Sequence, residues 1–166
     1  MRAIAVAALR RAADGDQPFG SDVDLVSALG IAGDDVAILR PIAVKGVPAR
    51  AALSAEFLEV ADGILSATLA SDPNAGFWQR IIDSLGSLVT IRPTGPVAGD
   101  DPAAIVSRMT DAMAKGDLAA ALAERDALPQ TGKEASSEWA AKAVDRVALD
   151  ALVERIARAF DAPKAG

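Results

Sequence analysis

Apolar residues in this chain return every third or fourth position, in segments closed by Gly, Pro or Asp, and that period dictates helices. Strands would need alternation and a supply of β-branched and aromatic residues. Aromatics make up only 4%, while alanine and leucine abound, a balance that favours helix over strand. Small alanines also let helices approach closely. The expected fold is all-α: antiparallel helical hairpins packed as a bundle or short solenoid. At 166 residues the chain fits one domain, or two subdomains sharing a core.

The punctuation sets the elements. A first helix is predicted over Ala3–Ala13, closed by Asp14-Gly15 with Pro18 beyond. Its run Ala3–Leu9 follows Met1-Arg2 as a signal peptide would. Arg10-Arg11 closes it without a small-residue cleavage site, so an amphipathic helix is the better reading. A second helix is expected to start at an N-cap Ser21 and carry Val23, Val26 and Leu29 inward until Gly30. A third covers Asp34–Val44, with Pro41 expected to kink or shorten it. After Gly46-Val47-Pro48 a longer helix, Ala49–Ala70, aligns Leu53, Phe57, Val60 and Ile64.

Residues 77–85 have helical period and pass into Leu88–Arg92, whose β-branched residues predict one extended segment; Pro93–Gly99 reads as a loop. Asp101-Pro102 is an N-cap followed by proline at the first helical position. That helix carries Ile105, Met109 and Met113 and ends at Lys115-Gly116. Asp117 caps the next, with Leu118, Ala121, Leu122 and Leu128 inward and Pro129 as its stop. Thr131 to Glu134 has capping-box spacing and is expected to open a long helix to Phe160. Val144, Val147, Ala151, Leu152, Ile156 and Phe160 form its expected apolar stripe, and Trp139 is expected to anchor the core.

The residue inventory excludes much chemistry. There is no His, Cys or Tyr, so the commonest general base, the most reactive nucleophile and His/Cys zinc sites are missing. Asp34-Asp35 and Asp100-Asp101 precede predicted helices, where carboxylates satisfy free N–H groups; capping is preferred to metal binding. Residues 95–99 lack the lysine and hydroxyl of a phosphate loop. No catalytic residue, cofactor, metal or small-molecule substrate is expected. The net charge of −6, from 17 basic and 23 acidic residues, lacks the basic stripe that nucleic acid demands. No apolar run approaches the ~18–20 residues of a membrane span.

Two binding surfaces are expected. Phe77, Trp78, Arg80, Ile81, Ile82, Leu85 and Arg92 could form an interfacial helix, its aromatics at headgroup level and its arginines on phosphates, for lipid or a partner. Core packing competes for Trp78. On the last helix, Val147, Leu152, Ile156 and Phe160 are the candidates for self-association, against the plainer option that they pack on their own chain.

The order of elements resembles the mitofilin C-terminal region. The resemblance rests on Gly76-Phe77-Trp78-Gln79-Arg80 through Leu88–Arg92, the Gly/Pro loop, Ala114–Leu122 and Trp139-Ala140. It is clearest over residues 76–162 and nearest in style to alphaproteobacterial versions. It implies a helical part at 1–75 and a mitofilin-like part at 76–166, continuous with each other. It also implies a non-catalytic scaffold at the periplasmic face of the bacterial inner membrane, or in the mitochondrial intermembrane space. Such a scaffold would self-associate, touch the membrane surface and contact an outer-membrane protein.

The family's membrane-binding helices would map onto about 49–85. The anchor and coiled coil of that family are not among these residues, which implies a piece of a longer protein. The helix at 49–70 carries Arg50 against Glu56, Glu59 and Asp62, a poor match for anionic lipid. The alternative is a tetratricopeptide-like adapter binding a peptide, suggested by the Gly-Asp hairpin at 112–117.

Overall fold

The computed structural model describes residues 1–30, 33–71 and 99–161. These form eight helices: α1 (Arg2–Asp14), α2 (Gly20–Ala28), α3 (Gly33–Lys45), α4 (Arg50–Ser71), α5 (Pro102–Ala114), α6 (Leu118–Arg125), α7 (Gln130–Ala135) and α8 (Ser137–Asp161). No strand occurs among the described residues, and the fold is all-α. The expected extended segment at 88–92 and the expected boundary at 75/76 lie outside the described residues. The chain divides into two compact units, Met1–Leu53 with Lys142–Gly166, and Ser54–Ala141.

In the first unit α1 packs on α2 and α2 on α3. Its core is built from Leu9 of α1, Val23 and Val26 of α2, Leu39 and Ala43 of α3, and Leu149 and Ile156 of α8, none above 0% exposure. The helix starts follow from this core more than from local capping. Ser21 does not cap α2; the N-cap is Phe19, with no side-chain hydrogen bond. The Phe19 ring is buried and its N–H donates to the Ala43 carbonyl at 2.9 Å, so tertiary anchoring starts the helix ahead of the serine.

α3 also runs through Pro41 to Lys45 instead of stopping short. Pro41 is exposed, so the Ala37 carbonyl that loses its helical donor is left on the water side. Gly46 ends α3 for two reasons. Its φ is +76°, and a Cβ there would lie 3.0 Å from the Asp16 carbonyl oxygen, so both conformation and space select glycine.

At α5 and α6 the second unit follows its capping signals. The Asp101 carboxylate accepts from the Ala104 N–H at 3.0 Å, with Pro102 opening α5. The helix ends in a glycine turn. Gly116 (φ +72°) donates to Met113 and the Asp117 N–H reaches back to Ala112, closing carbonyls that would otherwise be orphaned. Asp117 then accepts from the Ala120 N–H at 2.9 Å, so one residue closes α5 and caps α6.

The expected capping box at 131–134 does not form. α7 starts directly after Pro129, and Ser136 separates it from α8. Ser136 is fully buried; its hydroxyl donates to the Gly132 carbonyl (2.8 Å) and accepts from Arg125 Nε (2.8 Å). Arg125 also donates to the Lys133 carbonyl at 2.6 Å. A side chain from α6 thus takes the place of helical continuation at the end of α7.

Trp139 anchors this unit, its ring centroid 4.9 Å from Phe57 at a 50° tilt, an arrangement favoured by the ring quadrupoles. Ile64 and Thr68 of α4 press on α7 at Gly132, where a Cβ would meet their Cγ2 atoms at 3.3 Å. Gly132→Val should therefore lower stability by about 1–3 kcal/mol through overpacking. Urea unfolding followed by circular dichroism will read this as a lower midpoint with unchanged helicity.

Candidate functional site

The densest cluster of charge in the first unit forms around Arg146 on α8. Helical register puts this residue in phase with Ala143, Leu149, Val153 and Ile156, all buried. It is the one charged side chain among the buried residues described, at 1% exposure. A guanidinium taken out of water must be paired and hydrogen-bonded or it is strongly destabilising.

Two of its nitrogens meet that demand. Nη1 donates to the Ala13 carbonyl at 2.6 Å, in the last turn of α1, where carbonyls lack helical donors. Nη2 pairs with Asp150, one helical turn further along α8, and lies 3.7 Å from Asp14. Asp150 also accepts from Arg50 Nη2 at 2.5 Å, which ties the start of α4 into the same group. Nε of Arg146 is buried with no partner among the described residues.

Arg10 and Glu154, 3.2 Å apart and exposed, border the group. Together these residues line an open-sided cleft of about 170 Å³ with Ala13 and Val153. Its three arginines face three carboxylates. Guanidinium groups stay protonated and only donate, and Asp150 is committed to two arginines. The cleft therefore supplies fixed, balanced charge that joins α1, α4 and α8. Its lining holds no histidine, cysteine or hydroxyl side chain. Among the described residues no group of three or more acidic side chains is arranged to hold a metal.

The expected lipid- or partner-binding residues Phe77, Trp78, Arg80, Ile81, Ile82, Leu85 and Arg92 lie outside the described residues. The expected self-association residues are described. Leu152 and Ile156 are buried in the first unit's own core at 3% and 0% exposure, Phe160 packs partly buried against it, and Val147 is half-buried. The apolar stripe of α8 is rotated from its expected position. Val144 is 54% exposed and Ala151 is exposed, while Ala143, Leu149, Val153 and Ala157 face inward. Arg146 takes an inward position and breaks the apolar pattern of that stripe. The i,i+4 spacing of Arg146 and Asp150 shows that the two can pair, and their burial is decided by packing. No helix among the described residues is long and apolar enough to cross a membrane.

The model of the Mitofilin family, described as a mitochondrial inner membrane protein, matches residues 4–154. The chain belongs to the mitofilin family. The match takes in the helices of residues 4–71 as well as the region from 76 onward that carries the sequence resemblance. The chain is also similar to the MICOS complex subunit mic60 of Sclerotinia sclerotiorum, 31% identical over 123 residues, which cover 70% of this chain and 18% of that protein. This mitofilin-family chain thus corresponds to a small part of that relative's length. No solved structure matches it.

The Arg146 network is testable as a structural element. Arg146→Ala should cost about 3–5 kcal/mol, since it strips the Ala13 carbonyl and leaves Asp150 half-paired at low exposure. Arg146→Lys should recover only part of that loss, because an ammonium cannot reach two acceptors as a planar fork. Equal unfolding midpoints for the alanine and lysine variants would contradict the fork.

Proposed function

We propose that this chain is a non-catalytic scaffold segment of a larger mitofilin-like inner-membrane protein. In this reading it lies on the periplasmic face of a bacterial inner membrane. There it organises membrane architecture and contact sites by self-association and by binding a lipid surface or an outer-membrane protein. Membership of the mitofilin family over residues 4–154 carries the reading. The similarity to a subunit of the MICOS complex supports partners that are proteins.

The physical character of the fold agrees with such a role. Arginines join helices within each unit, as at Arg146 in the first and Arg125 in the second. The lipid-binding part of the proposal rests on Phe77, Trp78, Arg80, Ile81, Ile82, Leu85 and Arg92. Trp and Phe suit the headgroup region, and Arg80 and Arg92 suit lipid phosphate.

Two measurements test it. Deleting residues 4–154 from the parent gene should alter inner-membrane folds and contact sites in electron micrographs of the source cells; unchanged membranes would count against the scaffold role. In co-sedimentation with anionic vesicles, the chain should pellet, and Trp78→Ala and Ile82→Glu should each reduce the bound fraction several-fold. Equal pelleting of all three would remove the lipid surface from the proposal while leaving protein contacts.

A further inference from the structure

α3 is apolar on two sides. Val36, Leu39 and Ala43 face the core. On the opposite side Ala37, Ile38, Pro41 and Val44 stand in water, with Ile38 at 55% and Val44 at 66% exposure. At about 100° per residue these four fall within a ~120° arc, with Asp34 and Lys45 in the same arc. Asp34 marks its N-terminal end and Lys45 its C-terminal end. Both are exposed, and neither has an ion-pair partner among the described residues. Arg40 is spent on Asp24 at the margin.

A helix that is apolar all round is normally covered, and the ends of this face say by what. An acid at one end and a base at the other, separated by ~16 Å of helix, are complementary to the same face turned end for end. A second copy laid antiparallel places Asp34 against the partner copy's lysine and Lys45 against its aspartate. The pairing is isologous, with the apolar residues meeting about an axis midway between Ile38 and Pro41. The opposed helix dipoles favour the same orientation. A lipid surface would gain from basic residues at both ends, and Asp34 at the helix entry opposes it.

We propose that the outer face of α3 is a self-association surface that pairs two copies of this chain through antiparallel α3 helices. The proposal rests on the self-association in the function proposed above and names its surface. One helix face per copy is smaller than the ~800 Å² per partner of a standard stable complex. The dimer is therefore concentration-dependent.

Sedimentation equilibrium of the 166-residue chain across a dilution series, at low salt, tests this directly. The unaltered chain should dimerise, and Ile38→Glu should abolish the dimer with helicity retained. Asp34→Lys and Lys45→Asp should each weaken it roughly tenfold, because each replaces two attractions by two repulsions. The double variant, Asp34→Lys with Lys45→Asp, should recover the original association.

A chain monomeric at every concentration overturns both this surface and the self-association in the proposed function. A dimer indifferent to all four changes overturns the α3 surface alone. Single swaps that weaken the dimer without recovery in the double variant overturn the antiparallel arrangement. If Ile38→Glu leaves the dimer intact but abolishes pelleting with anionic vesicles, the face serves lipid and the proposal fails.

Discussion

The carbonyls at helix ends are the constraint on which this fold depends. Short helices joined by tight turns leave many such groups without helical donors, and buried ones must find partners. The second unit meets the demand locally, at the start of α5 with Asp101 and at its end with Gly116 and Asp117. Two arginines meet it from a neighbouring element: Arg146 closes the end of α1 through Ala13 in the first unit, and Arg125 closes α7 through Lys133 in the second. Both act as donors of helix-terminal hydrogen bonds supplied by another element.

This use of charge bears on what the protein can do. A guanidinium committed to a carbonyl and a carboxylate in a buried setting orders the helices it joins. It is also held in one geometry by those bonds. Within each unit such arginines join helices, in a chain that belongs to the mitofilin family. On α3 the inner side completes the core, and the outer side leaves apolar surface framed by opposite charges.

Much of the helical plan was legible in residues alone. Asp101-Pro102, Lys115-Gly116-Asp117 and Gly46 gave their boundaries because caps and left-handed glycines are local chemistry. Readings failed where a partner remote in sequence decided the outcome. Ser21 lost the cap of α2 to Phe19 because the ring is buried and its N–H bonded to Ala43. Thr131 and Glu134 lost theirs because Pro129 starts α7 earlier and Arg125 with Ser136 ends it. The stripe of α8 turned because a paired arginine counts as an inward residue, which no hydropathy pattern registers.

By itself, then, the sequence determined an all-α fold class, most helix boundaries among the described residues, the lack of His and Cys chemistry and the family signature. Those follow from propensity, local capping and residue identity, none of which needs a neighbour in space. The tertiary structure decided which side of each helix faces inward, that Arg146 belongs to the interior, and that α3 keeps a second apolar face in water. Burial is a property of packing, so an arginine becomes a core residue only once Ala13 and Asp150 are brought to its two nitrogens.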